Sequence, residues 1–462
     1  MKTEFNGCKS YGCINLANPD LSLYRKSNQL GFDSYQCPQC GAFTPILDDK
    51  AINLFIRRTL SNESRLLLPH CVQCKKPTPS TRFGSTRAGT PRRQCNECKS
   101  VYSLLNGDKL SSQLQPLFEL VSSDISTSEI FAKTGWNSKV FYQRLSKLSQ
   151  LLELVNRLMI IAYTHSCLML TLHSSTSSIE TRSGKQKESL KTWQLHTLDT
   201  TNGFLFLHSD NMLLGDEPTS SPYLLNKVEP SFTGSEPFER VQWTYDKIFS
   251  RNQFDNLGYA LQSQVNSREG TLLRPVVGAH GHFQLLNSIL PSQTPLNLFL
   301  EHESFLRGSS IFTFSEQIKS GNCHLFYLYH FATDKPIKPQ SNSIGWWREK
   351  WIKASIVDDQ KLLGCVMSSL TKGPLDAYTQ VKKDWNAEYN KFMKHHLPEV
   401  YLRTISYKKY LEWREIFIFF YNQSRGLARF SHKNNTPHME DISSLIQFIN
   451  DSAISWDRKL QV

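Results

Sequence analysis

Eight of the eleven cysteines fall into two sets with the spacing of metal knuckles. Cys71-Val-Gln-Cys74 and Cys95-Asn-Glu-Cys98 are two thiol pairs with two residues inside each, the pattern of a zinc ribbon. A thiolate pair so spaced can bend round one Zn²⁺, and a second pair on a later hairpin completes a closed tetrahedral site. The other set is Cys8 and Cys13 followed by Cys37-Pro-Gln-Cys40, its leading knuckle longer by two residues. A start with no apolar signal segment points to a reducing setting, where paired thiols bind metal rather than form disulfides. Cys167, Cys323 and Cys365 stand alone in apolar surroundings and read as core packing.

The residues between the second pair of knuckles must be shaped by the metal. The stretch from Lys75 to Gln94 is rich in turn residues and cations and has too little apolar content for a core, so zinc would supply its fold at an apparent ~10–16 kcal/mol. Gly84 and Gly89 suit tight hairpin turns, which would leave Arg82, Arg87, Arg92 and Arg93 on a stiff exposed hairpin facing phosphates. After it, Leu114, Leu117, Phe118 and Val121 recur at helical steps. Ser126 with Glu129 reads as a capping box, Gly135 as a helix stop, and Asn137 or Ser138 as the next cap. The third helix sets Val140, Phe141, Leu145 and Leu148 on one face and Lys139, Gln143, Arg144 and Lys147 elsewhere, which makes a helix-turn-helix with a cationic second helix.

A chain of 462 residues implies two to four domains, and a formal charge of +12 favours an acidic polymer as partner, nucleic acid before an anionic membrane. Expected segments are a first ribbon over 1–52, a second over 53–106, a helix-turn-helix over 107–160, an α/β mixed-sheet domain over 161–396 and a helical region over 397–462. In the α/β part, Cys167 to Leu172 reads as a buried strand and Ser174 to Ser189 as an exposed polar loop. Trp193 to Thr200 and Gly203 to His208 read as a hairpin, Leu272 to Val277 as a strand and His282 to Leu290 as a helix. Leu296 to Leu300 and Cys323 to Phe331 read as further strands, with Phe312 to Ile318 a helix between them. The aromatic region from Leu397 predicts a helix docked on the α/β body with its cations outward.

This order of parts resembles bacterial insertion-sequence transposases of the DDE type. The run Cys71-x₂-Cys74…Phe83-Gly84-x₂-Arg87-x-Gly89-x₂-Arg92-Arg93-x-Cys95-x₂-Cys98-x₂-Val101-Tyr102-Ser103 resembles the zinc-ribbon head of InsA-type proteins. The resemblance implies an RNase H-like fold for the α/β domain, in which three carboxylates hold two divalent ions, Mg²⁺ or Mn²⁺, for in-line phosphoryl transfer. It places the first acid on the opening strand, where this chain reads Thr171-Leu-His173-Ser174-Ser175-Thr176 and has none. For the second it offers Glu301 or Glu303, and for the third Glu388, in Asn386-Ala-Glu388-Tyr389. Asp199 or Asp210 is the alternative first acid; Tyr421-Asn422…Arg425 and Thr436-Pro437 resemble the family's closing segment.

Two other groups carry chemistry of their own. Gly278-Ala-His280-Gly-His282 could hold a metal through alternate histidines or form a strand-to-helix junction. Trp346-Trp347-Arg348-Glu349-Lys350-Trp351-Ile-Lys353 interleaves aromatics and cations like a nucleic-acid surface, and it also fits helical packing of Trp347 on Trp351. No phosphate-binding P-loop, dinucleotide fingerprint or hydrolase elbow is present, which disfavours ATPases, dehydrogenases and α/β-hydrolases. The reading is a zinc-dependent protein that recognises double-stranded DNA in a cytoplasmic, nucleoid setting, with two structural Zn²⁺ ions, self-association or a protein partner, and no membrane partner. With no first acid it favours binding without chemistry, as a transposase-derived binder or a transcriptional regulator; the alternative is an active DDE transferase.

Overall fold

The computed structural model describes residues 3–63, 69–74, 78–123, 125–163, 167–183, 186–215, 232–249, 266–267, 270–290, 294–345, 348–358, 361–426 and 441–459. Two compact units divide it: Met1–Arg58 with His165–Tyr389, and Thr59–Thr164 with Asn390–Val462. The units cut across the segments expected from sequence. The first cysteine set belongs with the sheet unit, and the second belongs with the helices.

The chain opens with β1 (Arg25–Ser27), β2 (Ser34–Gln36) and β3 (Phe43–Pro45), a small antiparallel sheet, then α1 (Asp49–Glu63). The next strands, β4 (Ser80–Ser85), β5 (Pro91–Cys95) and β6 (Val101–Ser103), form a second antiparallel sheet. Helices α2 (Gly107–Ser122), α3 (Thr127–Thr134) and α4 (Ser138–Ala162) follow. The side chains of Ser126 and Asn137 cap α3 and α4, and Gly135 ends α3 at φ 63°, a left-handed turn that only glycine adopts at little cost. Helix α4 runs without a break to Ala162, because the Leu148–Ile160 segment keeps burying side chains.

The sheet unit continues with β7 (Leu168–Ser183), β8 (Gln186–Asp199), β9 (Leu205–Asp210), β10 (Met212–Leu214), α5 (Pro237–Phe249), β11 (Asn266–Ser267), β12 (Gly270–Leu272), α6 (Pro275–Ile289), β13 (Leu296–Leu300), α7 (Ser304–Thr313), α8 (Ser315–Lys319), β14 (Cys323–Ala332), β15 (Gln340–Ile344), β16 (Glu349–Asp358) and β17 (Lys361–Ser369), and α9 (Trp385–His396) begins within it. The last helices are α10 (Glu399–Leu402), α11 (Tyr407–Gly426) and α12 (Ile442–Lys459). Eight strands form one mixed sheet in the order β15-β16-β17-β14-β13-β7-β8-β9. Within it β13 runs parallel to both β7 and β14, and the other neighbours are antiparallel.

Four expectations change. Ser174 to Ser183 and Gln186 to Ser189 are not loop: they extend β7 and β8, because Ile179 and Leu190 face each other and are buried; Gly184 and Lys185 lie outside the described residues. Leu272 to Val277 is not a strand, since α6 begins at Pro275 and is buried on every side, which leaves no amphipathic stripe to read. Trp351 lies on a strand, fully buried beside Tyr245, Tyr327 and His302, so it is core rather than surface; Trp346 and Trp347 lie outside the described residues. The C-terminal helices belong to the helical unit instead of the α/β body, with α11 on α4 and α12 on α2 and α4. Their aromatics, Trp413, Phe417, Phe419 and Tyr421 among them, are buried.

Helix α6 is pinned by short approaches. A side chain at Gly281 would collide with Phe55 of α1, and one at Gly278 would press on Trp193. His282 bonds Thr197 Oγ1 and Ser209 Oγ, each at 2.6 Å, so it is a satisfied core histidine. Burial, aided by the charge of His196, lowers its pKa to about 3. The fold holds it neutral while the unfolded chain takes up a proton below about 6.5, so its stabilisation is whole above that pH and is lost progressively towards pH 3. The urea midpoint of the sheet unit is expected to fall between pH 7 and 5, and less so in His282→Asn; equal pH dependence in both proteins would contradict this.

Candidate metal centres and nucleic-acid interface

The sulfurs of both cysteine sets converge. Within each set all four Sγ atoms lie within 4.8 Å of one another. Cys71–Cys98 is 3.3 Å, Cys74–Cys95 3.8 Å, Cys8–Cys40 3.6 Å and Cys13–Cys37 3.8 Å. A tetrahedral Zn²⁺ with bonds of about 2.3 Å sets its sulfurs about 3.8 Å apart, so both sets fit the ion. Four thiolates and no open position describe a structural centre rather than a catalytic one.

Local backbone rules place these sulfurs. In the first ribbon Cys37 N–H donates to Ala42 O and Gly41 N–H returns to Cys37 O, with Gly41 at φ 71°. The longer leading knuckle is closed by Tyr24, whose hydroxyl donates to Asn18 O and accepts from Cys8 N–H. In the second ribbon Lys99 at φ 63° takes the place of the glycine, with its N–H on Cys95 O. Phe5, fully buried against His280 and Phe312, packs the first ribbon on α6 and α7.

Hydroxyls beside the sulfurs tune them. Ser100 Oγ is 3.0 Å from Cys71 Sγ and 2.9 Å from Cys98 Sγ, and its hydrogen bond is the main reason that the Cys71 pKa is lowered to about 6, while the hydrogen bond to Cys98, followed by burial, pushes the Cys74 thiol up. Burial works against Cys37, yet the backbone N–H groups of Cys40 and Gln39 bring it to about 7. A thiolate favoured near neutral pH competes better for metal. Ser100→Ala is expected to raise the pH of half-release of zinc from the second ribbon and to weaken its affinity about tenfold. A zinc-indicator titration checks this, and an unchanged midpoint would refute it. Sequence reading missed Ser100, although a hydroxyl two residues after a knuckle cysteine is a usable signal.

The expected DNA-facing residues differ in availability. Arg82 and Arg87 are exposed on the β4–β5 hairpin, whose turns use Gly84 and Gly89 at positive φ. Arg92 is half-buried over the Phe83 ring at 5.5 Å. Arg93 is committed to the hairpin itself, donating to Ser80 Oγ at 3.2 Å and Ser80 O at 2.5 Å. On α4, Lys139, Gln143 and Lys147 are exposed, and Arg144 lies 3.9 Å above the Trp136 ring, which orients its guanidinium. Lys147 reaches Gln113 at 3.3 Å.

The candidate carboxylates have separate partners. Glu301, at the end of β13, accepts from Ser174 Oγ at 2.5 Å and lies 3.6 Å from His173 Nδ1, both on the neighbouring β7. Glu303 is 3.6 Å from Lys247, and Glu388 pairs with Lys383. Asp199 and Asp210 accept backbone N–H groups of their own turns, from Thr201 and Met212. Among the described residues, the two cysteine sets are the only groups of three or more metal-ligating side chains that converge; Glu301, Glu303 and Glu388 form no such group, and neither do His280 and His282. Tyr421 and Asn422 are buried in α11, and Thr436-Pro437 lies outside the described residues. No helix of the described residues is long and apolar enough to cross a membrane. Comparison with protein-family models, with curated proteins and with solved structures finds no match.

Proposed function

We propose that the chain is a zinc-dependent, sequence-specific DNA-binding protein of transposase type that acts at the nucleoid, with a nuclease-like α/β unit that has lost its complete metal site. The observation that carries this reading is the cationic exposed face of α4, set behind two capped turns and an arginine already oriented on an indole. Arg144, Lys139 and Gln143 would read base edges, while Lys147 and the hairpin arginines Arg82 and Arg87 would hold phosphates. Double-stranded DNA is the partner, with self-association or a second protein added in assembly.

An RNase H-like identity for the α/β unit is supported by its strand order. The opening strand β7 lies centrally, parallel to β13, so the end of β13 that carries Glu301 falls beside it. Opposite Glu301 stand His173 and Ser174, and neither supplies the negative charge that bridging two divalent ions needs. The two remaining readings are an active DDE transferase and a regulator without chemistry. Strand cleavage of the protein's own flanking DNA with Mg²⁺ or Mn²⁺, abolished in Glu303→Gln or Glu388→Gln, would establish the transferase and end the binding-only reading.

Arg144→Ala is expected to relax sequence preference, costing about 1–3 kcal/mol on the preferred site and little on random DNA. Arg87→Ala is expected to weaken binding to all sequences alike and to lower the salt slope by about one. Fluorescence anisotropy across a salt series separates the two, and equal effects from both substitutions would overturn the division of roles.

A further inference from the structure

The β4–β5 hairpin, the loop leading into α2 and one face of α12 line an open cleft of about 440 Å³ within the helical unit. Its walls are fixed by hydrogen bonds. Asn450 exchanges two bonds with the backbone of Leu105, at 3.0 and 3.1 Å, and Asn106 ties Ala88 O and Thr90 Oγ1. Arg93 is held by Ser80. What remains for a ligand is uneven in kind: Arg82 and Arg92 on the hairpin side, Gln447 and Asp451 on α12, and Leu104 and Ile446 as apolar floor. Arg92 Nε is buried with no hydrogen-bond partner. A buried guanidinium nitrogen left in that state is costly unless an acceptor arrives.

We infer that this cavity binds a single nucleotide unit, its phosphate on Arg82 and Arg92 and its base over the apolar floor with its donor edge toward Asp451 and Gln447. The inference rests on the proposal that the chain binds DNA, and it names which part of DNA enters here. The volume falls in the about 300–1,000 Å³ range of small-ligand sites. The carboxylates of Asp108 and Asp451 on the wall exclude a ligand that is anionic throughout, so a polyphosphate fits poorly. One anionic end, a flat apolar body and a hydrogen-bond donor at the far edge together describe a nucleoside monophosphate. Its source is either a free nucleotide or an unpaired nucleotide at a DNA end or bulge.

The test uses the full-length, zinc-loaded protein and four probes: inorganic phosphate, the four deoxynucleoside 5′-monophosphates, a blunt duplex, and the same duplex with one unpaired 5′-phosphorylated nucleotide. By calorimetry, monophosphates are expected to bind more tightly than phosphate, and Arg92→Ala to weaken them about tenfold. Gln447→Trp, which fills the cavity without changing charge, is expected to abolish monophosphate binding and leave zinc content and blunt-duplex affinity unchanged. Asp451→Asn is expected to alter the order of preference among the four bases while phosphate binding stays constant. A tighter complex with the unpaired-nucleotide duplex than with the blunt one, lost in Gln447→Trp, identifies DNA as the source; equal affinity for both duplexes with monophosphate binding intact identifies a free nucleotide. Blunt-duplex binding with no monophosphate binding would overturn the cavity assignment alone. Monophosphate binding that depends on Arg92, with no duplex binding, would overturn the DNA reading and leave the cavity assignment standing.

Discussion

Cys71→Ser is expected to lower the zinc content of the full chain from two ions to one and to abolish its binding to DNA. The residues between the second pair of knuckles bury little: of β4 no residue is buried, and of β5 only Cys95 is. The small cluster under the hairpin consists of Cys71, Cys95, Tyr102 and Leu104, so the metal stands in for a core. Structural zinc contributes an apparent ~10–16 kcal/mol in such modules, far more than a cluster of this size supplies. Loss of one thiolate from a closed site is therefore expected to unfold β4 to β6 and to scatter Arg82 and Arg87. Elemental analysis after gel filtration, with anisotropy on the same samples, measures both effects. Cys167→Ser should keep both ions, because Cys167 belongs to neither set. Two ions retained in Cys71→Ser would refute the assignment of the ligand.

Trp413→Ala carries the second large effect. The indole is fully buried in α11, stacked on Phe417 at 5.6 Å and tilted on Phe141 of α4 at 6.4 Å. Its Nε1 donates to the Tyr401 hydroxyl at 2.9 Å. Removing it leaves a cavity beneath the helix that presents Arg144, at a typical cost of about 3–5 kcal/mol. For a unit of this size that corresponds to a fall in melting temperature of roughly 6–20 °C. The sheet unit contains neither residue, so its acid-dependent urea transition should stay in place. Trp413→Phe should recover most of the loss by refilling the volume. A melt of the helical unit unchanged in Trp413→Ala would show that α11 does not support α4.

How much of this was legible in the sequence depended on whether a residue's role was local. Cysteine spacing, the Ser126 and Asn137 caps, Gly135, and the turn from Asp199 to Gly203 are decided by their own neighbours, and the observed elements follow them. Ser174 to Ser189 misled because serine and threonine mark loops by composition, while the strand is set by Ile179 and Leu190 meeting across the hairpin. The second half of α6 was read as a helix from His282, but its first turns, Pro275 to Gly281, were hidden since a helix buried on all sides shows no stripe, and Gly278 and Gly281, which look like junction residues, are there to let Trp193 and Phe55 approach. The aromatics after Leu397 revealed that they would be buried without revealing against what; their partners, Phe118 and Phe141, lie far away in the chain. The carboxylates were the least legible. Whether acids converge is a property of the whole sheet, and Glu303 and Glu388 each sit beside a lysine.

Helix α4 runs from Ser138 to Ala162 with no glycine or proline inside it. At 1.5 Å per residue it is a rod of about 37 Å, and it has no joint. Its amino-terminal turns carry the cationic face, while the remainder is gripped by aromatic and aliphatic side chains. A push on the tip therefore cannot be absorbed by bending halfway along. It travels as a tilt to the gripped end, so the proposed engagement of DNA should register as altered amide exchange at Leu151 to Ile160.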